Sequence, residues 1–152
     1  MRVSAKTDYA IRAALELAAA EGERPVKGER IATAQAIPLR FLENILMQLR
    51  HAGLVASRRG AVGGYRLARP AAGVTLADVI RAIDGPLTGV QGERPEALGF
   101  TGVAEPMREV WIAVRASLRS VLEHVTLVDV VERELPEHVR KLLGDEDAWV
   151  SH

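Results

Sequence analysis

Residues 38–70, PLRFLENILMQLRHAGLVASRRGAVGGYRLARP, constrain the fold more than any other stretch of this 152-residue chain. Pro38 opens a helix, because the N–H it lacks would be unpaired anyway at a first helical position. Phe41, Leu42, Ile45, Leu46 and Leu49 recur at steps of three and four and make one apolar face. Gly53 stops the helix at C′, just after an Arg50-His51 pair that suits the negative end of a helix dipole. Residues 54–58 read as a strand and 65–68 as its partner. The glycines at 60, 63 and 64 between them permit positive φ and close approach to another surface. A helix followed at once by a glycine-tipped hairpin is the outline of a winged helix. Between 38 and 70 stand six arginines (40, 50, 58, 59, 66 and 69) against one acid, Glu43. Cations clustered on a helix and a loop are the electrostatic footprint of nucleic-acid binding.

The upstream chain supplies the rest of such a unit. Residues 4–21 read as a helix with Ser4 as N-cap. Tyr9, Ala10, Ala13, Ala14 and Leu17 lie on one side of it, and Ile11, Leu15, Ala18 and Ala19 roughly opposite, so it is expected to be buried on two sides. Residues 27–36 form a short second helix, and Ala36-Ile37-Pro38 turns into the third. Short helix, tight turn and longer helix make a helix-turn-helix whose second helix is expected to enter the major groove, the alternative being an αα-hairpin used only for packing. Its outward residues are Leu39, Arg40, Glu43, Asn44, Met47 and Gln48. Arginine can bond guanine, a carboxylate can accept from cytosine, and asparagine can pair with adenine. The alternative for Glu43 is an ordinary helix pair with a nearby base. In the hairpin, Arg58, Arg59 and Arg66 are placed for phosphate or the minor groove, and Tyr65 for packing at its base.

Beyond the hairpin, Thr75 caps a helix at 76–84, which Gly85-Pro86 ends. Residues 85–105 show no period, and a loop of that length is usually functional or disordered. Leu87, Val90, Leu98, Phe100 and Val103 either line a pocket there or tuck against the body. The longest helix runs over 105–125. Met107, Trp111, Val114, Leu118, Val121 and Val125 step by 4, 3, 4, 3 and 4, a heptad seam whose natural use is a homodimer, the alternative being packing within the chain itself. The organisation expected is therefore a winged helix-turn-helix domain at 1–84, a sensor-type loop at 85–104, a dimerisation helix at 105–135 with a short capping helix at its end, and a tail at 136–152. The fold class is mainly α with one small β-hairpin.

Zero cysteines exclude disulfides, thiol switches and thiolate-held metals, and the four histidines lack ligand spacing, so no cofactor and no metal are expected. No nucleophile–base pair or phosphate-binding loop stands out, and Gly63-Gly64 lacks the lysine of a P-loop, so an enzyme is not expected. No apolar run is long enough to span a bilayer, and Lys6, Asp8, Arg12 and Glu16 break up any signal-like N-terminus, which points to a cytoplasmic protein without a membrane partner. The net charge is zero, but residues 1–84 carry +5 and residues 85–152 carry −5, as expected of a nucleic-acid face on one part only.

FLENILMQLRHAGLVASRRG and GGYRLARP, followed by VTLADVIRAIDGPL and preceded by VSAKTDYAIRAALELA, resemble the IscR/NsrR/CymR family of bacterial winged-helix regulators, the Rrf-two type. The resemblance covers most of residues 1–135. It implies a recognition-helix glutamate at Glu43 and a wing arginine at Arg59, and a long helix that pairs with its copy and packs on the partner's first helix. The chain departs from the family at Ala61-Val62, where many relatives have proline and a further glycine. Iron–sulfur members carry three cysteines in the loop after the fourth helix, and some add a carboxylate at the place of Asp8. With no cysteine here, an iron–sulfur sensor is not expected. The function expected is a homodimeric, sequence-specific regulator that represses by sitting on a palindromic operator in double-stranded DNA, modulated by a small-molecule effector or a regulatory protein. The alternative is a winged-helix module that binds proteins and would show an apolar patch in place of the arginines.

Overall fold

The computed structural model describes residues 3–90 and 92–151. Helix α1 (Ala5–Ala19) begins where expected, with Ser4 accepting from the Thr7 N–H at 3.1 Å. Its Ala10, Ala13, Ala14 and Leu17 are buried, and small side chains there let neighbouring helices come close. α2 (Gly28–Gln35) and α3 (Leu39–His51) complete the helix-turn-helix. The turn is made by Ala36 in a left-handed conformation, φ 52°, and by Ile37, whose N–H returns to the Ala32 carbonyl at 2.9 Å. Pro38 sits one place earlier than expected, as the N-cap of α3. α3 buries Leu42, Ile45, Leu46 and Leu49 completely. Phe41, expected on that face, is instead 41 % exposed and meets Tyr9 edge-on, ring centroids 5.7 Å apart. Five apolar residues span a wider arc than the core can cover, so the outermost is left at the rim.

The hairpin pairs β1 (Val55–Arg58) with β2 (Gly64–Leu67) in antiparallel register, Ala56 opposite Arg66 and Ser57 opposite Tyr65. A third piece of chain joins it, since Val26 and Tyr65 exchange two backbone hydrogen bonds, both 2.8 Å. α4 (Leu76–Asp84) packs on α1 and α3 and closes the first core. Its N-terminus carries a full capping box between Thr75 and Asp78. Thr75→Ala is expected to lower the stability of the fold by about 1 kcal/mol, measured as a lower urea midpoint with unchanged slope.

Among the described residues between Gly85 and Pro106 the chain is irregular apart from short 3₁₀ turns at Pro95–Ala97 and Gly102–Ala104 and a bridge between Val90 and Glu93. Of the loop's apolar residues, Val103 is fully exposed and the other four are only partly covered, while Pro95 is buried. α5 (Met107–Leu122) rests on the Pro95–Ala97 turn and on α4 and buries none of its own residues. It ends before Val125, and a new helix, α6 (Leu127–Val131), starts on a second capping box between Thr126 and Asp129. The 105–135 segment is thus two helices. α6 returns to α1, with the Leu76 N–H donating to the Val125 carbonyl at 3.0 Å and the Leu127 N–H to the Val74 carbonyl at 2.9 Å. α7 (Glu137–Leu143) tucks Val139 against the body, and the His138 ring nitrogen meets the Ser120 carbonyl at 2.8 Å. Among the described residues, no helix is long and apolar enough to cross a membrane.

Candidate nucleic-acid interface

With its four core leucine and isoleucine side chains turned inward, α3 presents Leu39, Arg40, Glu43, Asn44 and Met47 to solvent, and Gln48 half-covered. Leu39 and Glu43 line a groove of about 340 Å³ whose opposite wall is the hairpin, with Arg58 and Arg59. The groove is held open by contacts on both sides. Arg50 donates through Nη1 to Ser57 Oγ at 3.1 Å, tying the end of α3 to β1. Lys27 donates through Nζ to the Gly60 carbonyl at 3.0 Å, tying the entry of α2 to the hairpin tip. Tyr65 is half-buried with its ring edge over Gly28, 3.6 Å from where a side chain would begin. That supports its expected packing role.

Arg40, Arg58, Arg59 and Arg66 have no carboxylate within 4.0 Å among the described residues, and neither does Glu43 a basic partner. The helix pair offered as the ordinary explanation of Glu43 is therefore not formed. Asn44 and Gln48 engage each other, the Gln48 amide donating to Asn44 Oδ1 at 2.7 Å. Arg66 is not brought to the groove. It stands opposite Ala56, and so on the other face of the hairpin from Ser57 and Tyr65. There it lines a separate cavity with Glu21, Glu23 and Arg24. Lys27, and the Arg50–Ser57 contact, were missed from sequence. Their only signal was positive charge, which does not show that residues 7 to 33 places apart meet.

The seam on α5 lies away from this groove. Met107, Trp111, Val114, Leu118 and Val121 are all half-exposed within the chain. Val125 is a correction: it lies beyond the end of α5, is 2 % exposed, and belongs to this chain's own core. The heptad count ran past Leu122 and the Glu123 cap, where α5 has already ended.

A family model described as an iron-dependent transcriptional regulator, Rrf2, matches residues 3–133. The chain belongs to the Rrf2 family. It is 49 % identical over 145 residues to a Mycobacterium tuberculosis protein named as an HTH-type transcriptional regulator, covering 95 % of this chain and 90 % of that one. It is 37 % identical over 131 residues to the transcriptional regulator CymR of Bacillus subtilis, covering 86 % and 89 %. The solved structure of that CymR, titled as a global cysteine regulator, superposes with a TM-score of 0.75 at 34 % identity, covering 88 % and 98 %. A structure of T. potens IscR gives 0.71 at 33 % identity, covering 93 % and 96 %. Like its Rrf2 relatives, the chain is a winged-helix transcriptional regulator of the DNA-binding kind and not an enzyme.

The iron in the family description does not fit the donors present. The sequence holds no cysteine. Among the described residues, no three His, Cys, Asp or Glu side chains come together as a metal site. Asp8 pairs with Arg12 at 2.9 Å, and Glu96 of the loop pairs with Arg115 at 2.5 Å. A carboxylate set already held by arginines does not replace three thiolates.

Proposed function

We propose that this Rrf2 protein acts as a homodimer that represses transcription from a palindromic operator in double-stranded DNA. The observation that carries this is the groove in which Leu39 and Glu43 of α3 face Arg58 and Arg59 of the wing, with the arginines free of carboxylates among the described residues. Arg40, Glu43 and Asn44 read base edges from the N-terminal half of α3, with Leu39 and Gln48 bordering them. Arg58 and Arg59 take phosphate or the minor groove, and Arg66, on the outer face of the hairpin, approaches the backbone from the other side. The half-exposed seam of α5 pairs two copies, so that two recognition helices reach half-sites about 34 Å apart or a multiple of it. A small metabolite or a partner protein then shifts the population of dimers with the productive spacing.

The test is a titration of the purified protein against its own upstream DNA at several salt concentrations. Specific binding at two chains per palindromic site is expected, falling steeply with salt. Arg59→Ala should weaken binding to all sequences and flatten the log–log salt slope by about 2 for a dimer. Glu43→Ala should leave that slope in place and relax discrimination at one position of each half-site by about 1–3 kcal/mol. Both variants should stay folded, since both side chains are exposed. Equal binding to operator and unrelated duplex would overturn the reading.

A further inference from the structure

We propose that the cavity between α4, the loop after it and α5 binds a small polyanionic metabolite through its phosphate or carboxylate groups. The cavity measures about 600 Å³, the size of a metabolite site rather than of a single ion. Arg81 of α4, Arg94 of the loop, and Arg115 and Arg119 of α5 all line it. Four guanidinium groups converge from three separate pieces of chain, and among the described residues two carboxylates answer them. Glu123 accepts from Arg81 and from Arg119, and Glu96 accepts from Arg115. Two positive charges are left over.

The donors are not used up either. In these bonds Arg81 engages Nη2, Arg115 Nη1 and Arg119 Nε. Each guanidinium has five N–H groups, and planar forks of this kind match oxyanions. Arg94 has no carboxylate within 4.0 Å among the described residues. Thr88 lines the same cavity, and its hydroxyl is buried without a hydrogen-bond partner. A buried hydroxyl without a partner calls for a physical reason, and a polar guest in this cavity would supply one. Leu87 and Pro86 supply an apolar wall for the carbon skeleton. A polyanion here would bridge α4, which is part of the winged helix, to α5, which carries the seam. Its regulatory consequence rests on the function proposed above; the binding itself does not.

The experiment is calorimetric titration and thermal unfolding of the full-length protein with pyrophosphate and with citrate at constant ionic strength. Saturable binding of at least one of them, at one site per chain and with a raised Tm, is expected. Arg94→Gln, which breaks no ion pair within 4.0 Å among the described residues, should lower that affinity at least about tenfold. Thr88→Val should also weaken binding, while the unliganded variant keeps or gains Tm because an unpaired buried hydroxyl is gone. The wing is cationic too, so Arg59→Ala is titrated in parallel. Binding lost in Arg59→Ala and kept in Arg94→Gln would place the anion on the wing and overturn the proposal. Saturation by neither probe, or affinity unchanged in both Arg94→Gln and Thr88→Val, overturns it equally. Operator binding measured without either anion judges the regulator reading separately. Its failure beside intact anion binding removes that reading and leaves the pocket, and the opposite pattern removes only the pocket.

Discussion

Leu118→Asp is expected to yield a folded monomer that has lost its operator. Leu118 lies at the centre of the α5 seam and is only half-covered by its own chain. α5 as a whole buries no residue, so a charge there costs the protomer little. In a paired seam the two copies would face each other, and two carboxylates would be taken out of water without partners, a penalty of several kcal/mol for each ion. Sedimentation or light scattering should show one chain in place of two, with unchanged helical circular dichroism. Operator affinity should fall by roughly a hundredfold to ten-thousandfold, because the second half-site is no longer bound intramolecularly. An unchanged dimer with unchanged operator affinity would remove the seam as the interface. The Arg81–Glu123–Arg119 contact lies on another side of α5 and should survive the substitution, keeping α5 seated on α4. Glu123 is held below its ordinary carboxylate value of 4.5 by the hydrogen bond from Arg81 and then that from Arg119. That contact is therefore strongest above the carboxylate range and fades as pH falls through it.

Gly64→Ala is expected to destroy the wing. The backbone at Gly64 has φ +150°, where a side chain is strained, and an added Cβ would stand 2.5 Å from the Val26 carbonyl oxygen and 2.8 Å from its carbon. Backbone cannot swing aside as a flexible side chain can. The Val26–Tyr65 hydrogen bonds must open, and with them the tie between the entry to α2 and the hairpin. Strain and overpacking together should cost about 2–5 kcal/mol, read from a denaturant titration. Amide-exchange protection at Val26 and Tyr65 should collapse, and operator binding should weaken with it. Gly73→Ala is the control. Nothing lies within 4 Å of a Cβ there and its φ is ordinary, so its stability should stay within about 0.5 kcal/mol of the parent.

Much of this molecule could be read from local spacing. Ser4, Thr75 and Gly53 end their helices where expected, because a cap is satisfied by residues within three or four places in sequence. The hairpin followed from its glycines, although the close approach that Gly64 permits is to Val26 of the same chain. The same local grammar marked the end of α5: Thr126 and Asp129 form a capping box, and the continuing apolar period through Val125 obscured it. Of the candidate interface, the exposed face of α3 and the cations at Arg58 and Arg59 were legible. Arg66 stands on the hairpin face away from that groove, a placement that spacing does not show, because which face of a two-stranded ribbon meets the helices depends on what packs beneath it.

Residue type and short-range spacing were enough for the kind of protein: a basic helix-turn-helix with a wing, an apolar heptad seam, and no cysteine to hold a cluster. These depend on residue type and on periods of two to four, which chain chemistry enforces locally. Long-range packing is what makes Val26 extend the hairpin, places Val125 in the core, and gathers Arg81, Arg94, Arg115 and Arg119 around one cavity. Those arginines are up to 38 residues apart along the chain, counted from Arg81 to Arg119. Long-range electrostatics has no sequence period, so their convergence exists only once α4 and α5 have packed.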